Sequence, residues 1–120
     1  MIARPVSAEK RVAKPKGHHH VYVVLLEPRV MEHRAFVDQN PNLAPDTVCL
    51  YVGMTGVPPE ERFANHKAGY KANSYVQRYG LRLMPDLYEH LNPLTYEEAL
   101  AMEARLADQL RSAGYAVWQR

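Results

Sequence analysis

Two short apolar runs, separated by a long polar segment, constrain the fold of this chain most. Residues 21–26 and 48–53 are rich in β-branched and aromatic side chains, a composition typical of buried strands. The intervening residues 27–47 are polar and irregular, with turn signals at Pro41 and Pro45, although a short helix could form near their start. We therefore expect two strands joined by a decorated connection that is too long for a tight turn.

Helical signals follow the second strand. Residues 58–68 open with two prolines and two acids, so the sequence predicts a helix that ends at Gly69. A second short helix is expected at residues 74–79, with Asn73 as its cap and Gly80 as its stop.

The last third of the chain predicts one strand and one long helix. Residues 81–89 alternate enough to indicate a strand, which Pro85 should place at a sheet edge or mark with a bulge. Thr95 and Glu98 form a capping box that begins a helix of about 18 residues. The few residues after that helix should form a short final strand or an extended tail.

Length and composition favour a single soluble domain. A chain of 120 residues can bury one core, which we place in residues 18–120. Residues 1–17 hold five basic residues against one acid, a charge of +4, and predict a flexible basic arm that either attracts a polyanion or only aids solubility. No apolar run approaches the roughly 20 residues that cross a bilayer, so we expect a cytoplasmic protein without a membrane partner. The single cysteine, Cys49, should be a buried strand residue rather than a reactive thiol.

The last helix carries an acid where an apolar residue is expected. At about 100° per residue, the apolar side chains share one broad side, and Glu103 falls near the middle of it. Those apolar residues are Ala99, Leu100, Met102, Leu106, Ala107, Leu110 and Ala113. A carboxylate in that position is costly unless something pairs with it. A metal ion or a buried arginine would meet the need; a carboxylate that reaches water through a gap is the alternative.

A basic tract without acids covers residues 62–82, and tyrosines are interleaved with its cations. Fixed cations attract phosphates and aromatic rings stack on bases, so the tract favours nucleic-acid binding, although its tyrosines could instead belong to the core. The candidate binding residues are Lys67, Tyr70, Lys71, Arg78 and Arg82.

Five residues fall in the order of a known nuclease family. Val-Tyr-Val around Tyr22 on the first strand, and Tyr-Val-Gly from Tyr51 on the second, resemble the two motif halves of the GIY-YIG nucleases. Arg62 and His66 stand four apart, so they share one helix face, and they resemble the arginine and histidine of that family's first helix. Glu103 resembles its metal-binding glutamate. The resemblance covers roughly residues 18–118.

The resemblance implies an α/β (α+β) fold with a small three-stranded antiparallel sheet flanked by helices, in the order β-loop-β-α-α-β-α. It also implies an endonuclease that hydrolyses DNA with one Mg²⁺ or Mn²⁺ ion, in structure-specific cleavage or DNA repair. Glu103 would hold that ion, and Arg62 would pair with phosphate oxygens. Tyr22 or Tyr51 would position or deprotonate the attacking water, and His66 could support that tyrosine or act as the base itself.

The chain departs from the family pattern in three places. His20, which precedes Val21 and Tyr22, stands where the first motif half has its glycine. Residues 27–47 widen the gap between the halves, and Gln119 lies near the position of a family asparagine. A catalytically weak or inactive DNA-binding module of the same fold is therefore a second hypothesis. A third is an unrelated small-molecule enzyme, which would need a closed pocket. Specificity for a DNA target would come from a partner protein or from residues 27–47.

Overall fold

The computed structural model describes residues 17–119 of the chain. The predicted basic arm lies outside this described part, apart from Gly17. The described residues form four strands, four α-helices and three short 3₁₀ turns, so the α+β class is confirmed. Within residues 17–119, no helix combines the length and the apolar character needed to cross a bilayer.

One sheet holds all four described strands. They are β1 (His20–Leu26), β2 (Cys49–Thr55), β3 (Gly80–Leu83) and β4 (Ala116–Gln119). The spatial order is β3-β1-β2-β4, with β1 antiparallel to both β2 and β3. Val23 and Val52 pair across β1 and β2 and are both fully buried, as the apolar runs predicted. Cys49 is likewise buried at the start of β2.

The sheet differs from the three antiparallel strands that the resemblance implied. β4 adds a fourth strand, and because it runs parallel to β2 the sheet is mixed. Ala116 and Val117 are buried, so this short segment has apolar surface to cover. Pairing with the edge of β2 also satisfies the backbone groups of both segments.

The helices pack around this sheet. They are α1 (Arg34–Asp38), α2 (Pro59–Ala68), α3 (Ser74–Tyr79) and α4 (Tyr96–Ser112). Helices α2 and α3 contact β1 and β3, whereas α4 packs mainly against β2 and β4. The core lies between the sheet and these helices, with Val76, Ala107 and Leu110 among its buried residues.

The predicted helix ends are confirmed by their capping contacts. The Asn73 side chain accepts hydrogen bonds from two backbone N–H groups of the first turn of α3. Thr95 and Glu98 form the reciprocal capping box of α4. Gly69 follows α2 with a φ of 86°, a left-handed conformation that costs glycine little.

Two segments have different secondary structure from the sequence prediction. The helix considered near the start of residues 27–47 is split into a 3₁₀ turn, Pro28–Glu32, and helix α1, because His33 between them is extended with a ψ of 123°. The strand predicted over residues 81–89 stops at Leu83. Two 3₁₀ turns follow it, and Pro85 fits the first position of the first turn because a proline needs no hydrogen-bond partner for its nitrogen there.

The long connection between β1 and β2 covers the outer edge of β4. The buried Asn40 side chain accepts a hydrogen bond from Val117 N at 2.7 Å and donates one to Val117 O at 3.1 Å, as a neighbouring strand would. Gln39 repeats the pattern one pair further along: its Oε1 accepts from Gln119 N, and its Nε2 donates to Gln119 O, both at 3.1 Å. Two side-chain amides therefore take the place of a fifth strand.

We predict that Asn40→Ala lowers the free energy of unfolding by roughly 2–3 kcal/mol, because the buried backbone groups of Val117 lose their partners. Urea unfolding followed by circular dichroism measures the change. Asn42→Ala is the matched control, since Asn42 is an exposed asparagine of the same loop and should change stability by less than about 0.5 kcal/mol. Equal stability of the two variants would contradict the proposed edge pairing.

Candidate active site

Strand pairing brings the two predicted tyrosines together over a glycine. Tyr22 pairs directly with Gly53, and Tyr51, two residues earlier on β2, points to the same face of the sheet. The two rings lie 5.9 Å apart between centroids. A Cβ on Gly53 would lie only 2.8 Å from Tyr22 Oη and 2.8 Å from a Tyr51 ring carbon. Tyr22 can therefore rest on β2 only because residue 53 has no side chain.

His66 on α2 is fully buried against both tyrosines, and its tautomer follows from its hydrogen bonds. The backbone N–H of Asn73 donates to His66 Nδ1 at 3.0 Å, so Nδ1 carries no hydrogen. In the neutral ring the hydrogen is then on Nε2, which lies 2.8 Å from Tyr22 Oη. His66 therefore donates to the Tyr22 oxygen, and both of its ring nitrogens are occupied.

Burial is the main influence on the pKa values of His66 and Tyr22. Burial, aided by the positive charge of Arg62, lowers the pKa of His66 to about 4. Burial also raises the pKa of Tyr22 above its ordinary value; the neighbouring Tyr51 adds to the rise, and Arg62 opposes it. At neutral pH the pair is thus a neutral imidazole and a neutral phenol.

Arg62, one turn before His66, is held by the loop that follows α2. Its Nη2 donates to the backbone carbonyl of Lys71 at 2.8 Å, and its Nη1 donates to the carbonyl of Tyr70 at 3.4 Å. These contacts fix the planar guanidinium next to Tyr22. The shared helix face that the sequence predicted for Arg62 and His66 thus directs both residues to the same tyrosine.

Glu103 reaches the same place from α4. A cavity of about 300 Å³ is lined by Tyr22, Tyr51, Met54, Arg62 and Glu103. Four of the five predicted catalytic residues line it, from four different elements, and the fifth, His66, lies behind Tyr22. The desolvated carboxylate predicted from the helix pattern is half-buried, and Gln119 Nε2 donates to its Oε1 at 3.1 Å.

The apolar side of α4 is narrower than the sequence predicted. Ala99, Leu106, Ala107 and Leu110 are buried, whereas Leu100 is 52% exposed and Ala113 is also exposed. Glu103 still lies between buried residues of the preceding and following turns. The acid therefore stands at the border where the core meets the cavity.

The donor set fits one hard cation that keeps most of its water. Among residues 17–119 there is no group of three or more histidine, cysteine or acidic side chains that could share a metal. Glu103 is the acid that lines the described cavity, beside two phenols. Mg²⁺ commonly binds through one or two carboxylates together with substrate phosphates, so a single carboxylate suits it where a phosphate supplies further oxygens.

The predicted nucleic-acid-binding residues do not act as one patch. Lys67 donates from Nζ to the carbonyls of Gln77 and Gly80, both at 2.9 Å, so it ties α2 to α3 and β3. Arg78 lies over the Tyr79 ring, and Arg82 is on the edge strand β3.

Lys71 and Tyr70 belong to the loop that Arg62 holds beside the site. Lys71 lines a second cavity next to the first, and Tyr70 before it is 59% exposed. The alternative that the tyrosines of the basic tract belong to the core holds for Tyr79, which is buried, and not for Tyr70.

Sequence reasoning missed the residues that support the site through backbone contacts. The Asn92 amide donates to Val21 O at 2.8 Å and accepts from Val21 N at 2.9 Å, which fixes β1 immediately before Tyr22. Asn92 precedes a proline and therefore reads as a turn residue. A contact across 71 residues leaves no local signal in one sequence.

Comparison of the chain with protein-family models, with curated proteins and with solved structures found no match. The resemblance to the GIY-YIG nucleases therefore stays a prediction that rests on the residues themselves. The geometry adds an independent observation, which is the convergence of Tyr22, Tyr51, Arg62 and Glu103 on one cavity.

We predict that Gly53→Ala lowers stability by about 1–3 kcal/mol and disturbs the environment of the two tyrosines, because the added methyl group overlaps Tyr22 and Tyr51. Urea unfolding and near-ultraviolet circular dichroism measure both effects. Gly56→Ala is the control: a Cβ there would approach no closer than 3.4 Å to its nearest neighbour. A Gly53→Ala protein as stable as the wild type would show that Tyr22 does not rest on β2.

We predict that stability falls as the pH is lowered from about 6.5 towards 4. The unfolded state gains a proton on His66 below pH 6.5, whereas the folded state resists protonation until about pH 4. The loss at the low end is about 3 kcal/mol for this residue. Urea unfolding between pH 7.5 and 4 should show that dependence reduced in His66→Gln and retained in His90→Gln, an exposed control. Parallel curves for wild type and His66→Gln would contradict the buried neutral histidine.

Proposed function

We propose that this protein is a divalent-metal-dependent endonuclease that hydrolyses phosphodiester bonds in DNA. The observation that carries the proposal is the shared cavity, where a carboxylate, a guanidinium and two phenols meet from β1, β2, α2 and α4. Each of these groups has a role in phosphodiester hydrolysis, and the sequence places them in the order of the GIY-YIG nucleases. Cytoplasmic action, in structure-specific cleavage or in repair, is part of the proposal.

The chain's own residues divide the work of binding and proton transfer. Glu103 would hold the cation, and Gln119, which donates to Oε1 of Glu103, orients this carboxylate. Arg62 binds a phosphate oxygen and favours the negative charge that builds up there. When bound, Mg²⁺ or Mn²⁺ supplies Lewis acidity towards the phosphate and a positive charge that favours ionised forms nearby.

We propose that Tyr22 orients the attacking water, and that it would accept the proton of this water as a phenolate, after its own phenol proton has passed to solvent. His66 Nε2–H and Arg62 both favour the phenolate of Tyr22, while burial and Tyr51 oppose it. His66 is a positioning residue in this proposal, because its Nε2 already carries a hydrogen and its Nδ1 is occupied by Asn73 N–H.

A DNA-binding module without turnover is the second candidate. It is favoured by the single carboxylate of the cavity and by the raised pKa of Tyr22, which both weaken the case for a fast nuclease. A closed small-molecule pocket is disfavoured, because the cavity is open to solvent and a second open cavity lies beside it. An extended, phosphate-binding groove suits a polymer.

We predict that Glu103→Gln abolishes metal-dependent cleavage, with a loss of roughly 100-fold or more, because the cation loses its carboxylate. The melting temperature should stay the same or rise, because a half-buried charge is removed. The assay incubates branched, nicked and plain duplex DNA with Mg²⁺, Mn²⁺ or EDTA. Glu97→Gln, an exposed acid on the same helix, is the matched control and should cut at the wild-type rate.

Two results would decide against the nuclease. Undiminished cleavage by Glu103→Gln would remove Glu103 from the mechanism. Retained DNA binding by the wild type without any metal-dependent cutting would support the binding module instead.

A further inference from the structure

A second cavity of about 340 Å³ adjoins the first and has no assigned role. It is lined by Tyr51, Arg62, Lys71, Ala72, Asn73 and Ser74. Tyr51 and Arg62 line both cavities, so the two lie side by side, and we call the pair of cavities the groove. The lining of the second cavity contains two cations and no acid, whereas the first contains Glu103. The two halves of the groove therefore differ in charge: one suits a phosphate with a cation, and the other suits a phosphate alone.

The loop that carries Lys71 is fixed by the same arginine that serves the first cavity. Arg62 Nη2 holds the Lys71 carbonyl at 2.8 Å. Lys71 has a φ of 47°, a left-handed conformation that residues with a side chain seldom adopt. Asn73, two residues later, is anchored through its backbone N–H to His66. The loop is thus held at Lys71 by Arg62, which lines the first cavity, and at Asn73 by His66, which lies behind Tyr22.

An aromatic surface lies beside the lysine. Lys71 Nζ is 5.5 Å from the centre of the Tyr70 ring, and Tyr70 is 59% exposed, so the ring and the ammonium group are presented together. A cation next to an exposed ring is the pair that single-stranded nucleic acid uses, because phosphate binds the charge and a base stacks on the ring.

Resting on the nuclease function proposed above, we propose that this second cavity is a subsite for the phosphate that flanks the scissile one on the same strand. Lys71 binds that flanking phosphate, Asn73 and Ser74 supply polar groups, and Tyr70 stacks on an adjacent base. The substrate is then an extended single strand of at least two phosphodiester linkages, such as a flap or a gapped end. Arg62 lies between the two subsites and sets their spacing.

The test removes the flanking charge from the ligand and the lysine charge from the protein. Trithymidylate with two charged linkages is compared with its two analogues in which one linkage is a neutral methylphosphonate. The affinity of the full chain for each labelled oligonucleotide is measured by fluorescence anisotropy in EDTA, so that no cleavage is needed. The variants are Lys71→Gln and, as a matched control, Arg105→Gln, an exposed cation on α4 that lines neither cavity.

We expect the analogue whose flanking linkage is neutral to bind about tenfold more weakly than fully charged trithymidylate, both to the wild type and to Arg105→Gln. This is the effect of losing one charge-assisted contact. In Lys71→Gln the same linkage should matter less than about threefold, since the contact is already gone. With longer oligothymidylate, Lys71→Gln should also reduce the slope of log affinity against log salt by about 0.7, the value for one phosphate contact to a single strand.

The subsite proposal would be overturned if the neutral linkage weakened binding to Lys71→Gln by the same factor as binding to the wild type, so that the two losses of affinity were additive. Full displacement of the oligonucleotide by inorganic phosphate at low millimolar concentration would also overturn it, because the cavity would then take a free anion. The nuclease proposal fails separately. If the affinity losses are coupled but the protein shows no metal-dependent cleavage, the subsite is retained and the nuclease is rejected. If the protein cleaves DNA but the affinity losses are additive, the nuclease is retained and the subsite is rejected.

Discussion

The buried hydrogen bond from His66 to Tyr22 ties helix α2 to strand β1, and the rest of the candidate site is arranged around it. It requires an imidazole without charge, because His66 is fully buried and faces Arg62. It requires Nδ1 to be an acceptor, which the backbone N–H of Asn73 ensures. It also requires room for the Tyr22 ring over β2, which Gly53 provides. One 2.8 Å contact therefore depends on four separate parts of the chain.

The connection between β1 and β2 supports the site through Gln119 and Glu103. Gln39 binds the backbone of Gln119 twice, and the Gln119 side chain donates to Glu103. The segment that interrupts the two motif halves thus does more than lengthen the chain. It covers an edge strand that would otherwise expose its backbone groups, and it holds the residue that orients the candidate metal-binding carboxylate.

Sequence reasoning succeeded where the signal is local and failed where it is not. The caps of α3 and α4 were predictable because Asn73 and the Thr95–Glu98 pair act within one helical turn. Glu103 was predictable because helical periodicity places it among the residues that become buried. The amide contacts of Asn40 join residues 77 apart, and the parallel pairing of β4 joins Cys49 to Ala116, so no periodicity reveals either of them. Lys67 was assigned to DNA on charge alone, and only the fold shows that its ammonium group serves two backbone carbonyls.

The balance of charge in the groove has a consequence for the order of binding. Around the two cavities, Arg62 and Lys71 face a single carboxylate, Glu103. A divalent cation approaching the empty groove meets that carboxylate together with two fixed positive charges, which oppose it. A phosphodiester in the groove neutralises part of that charge and adds oxygen ligands. If the groove holds DNA as proposed, DNA and the cation must each strengthen the binding of the other by the same factor, since coupling between two sites is reciprocal. A site with one carboxylate would then bind its metal more tightly in the presence of the substrate than in its absence.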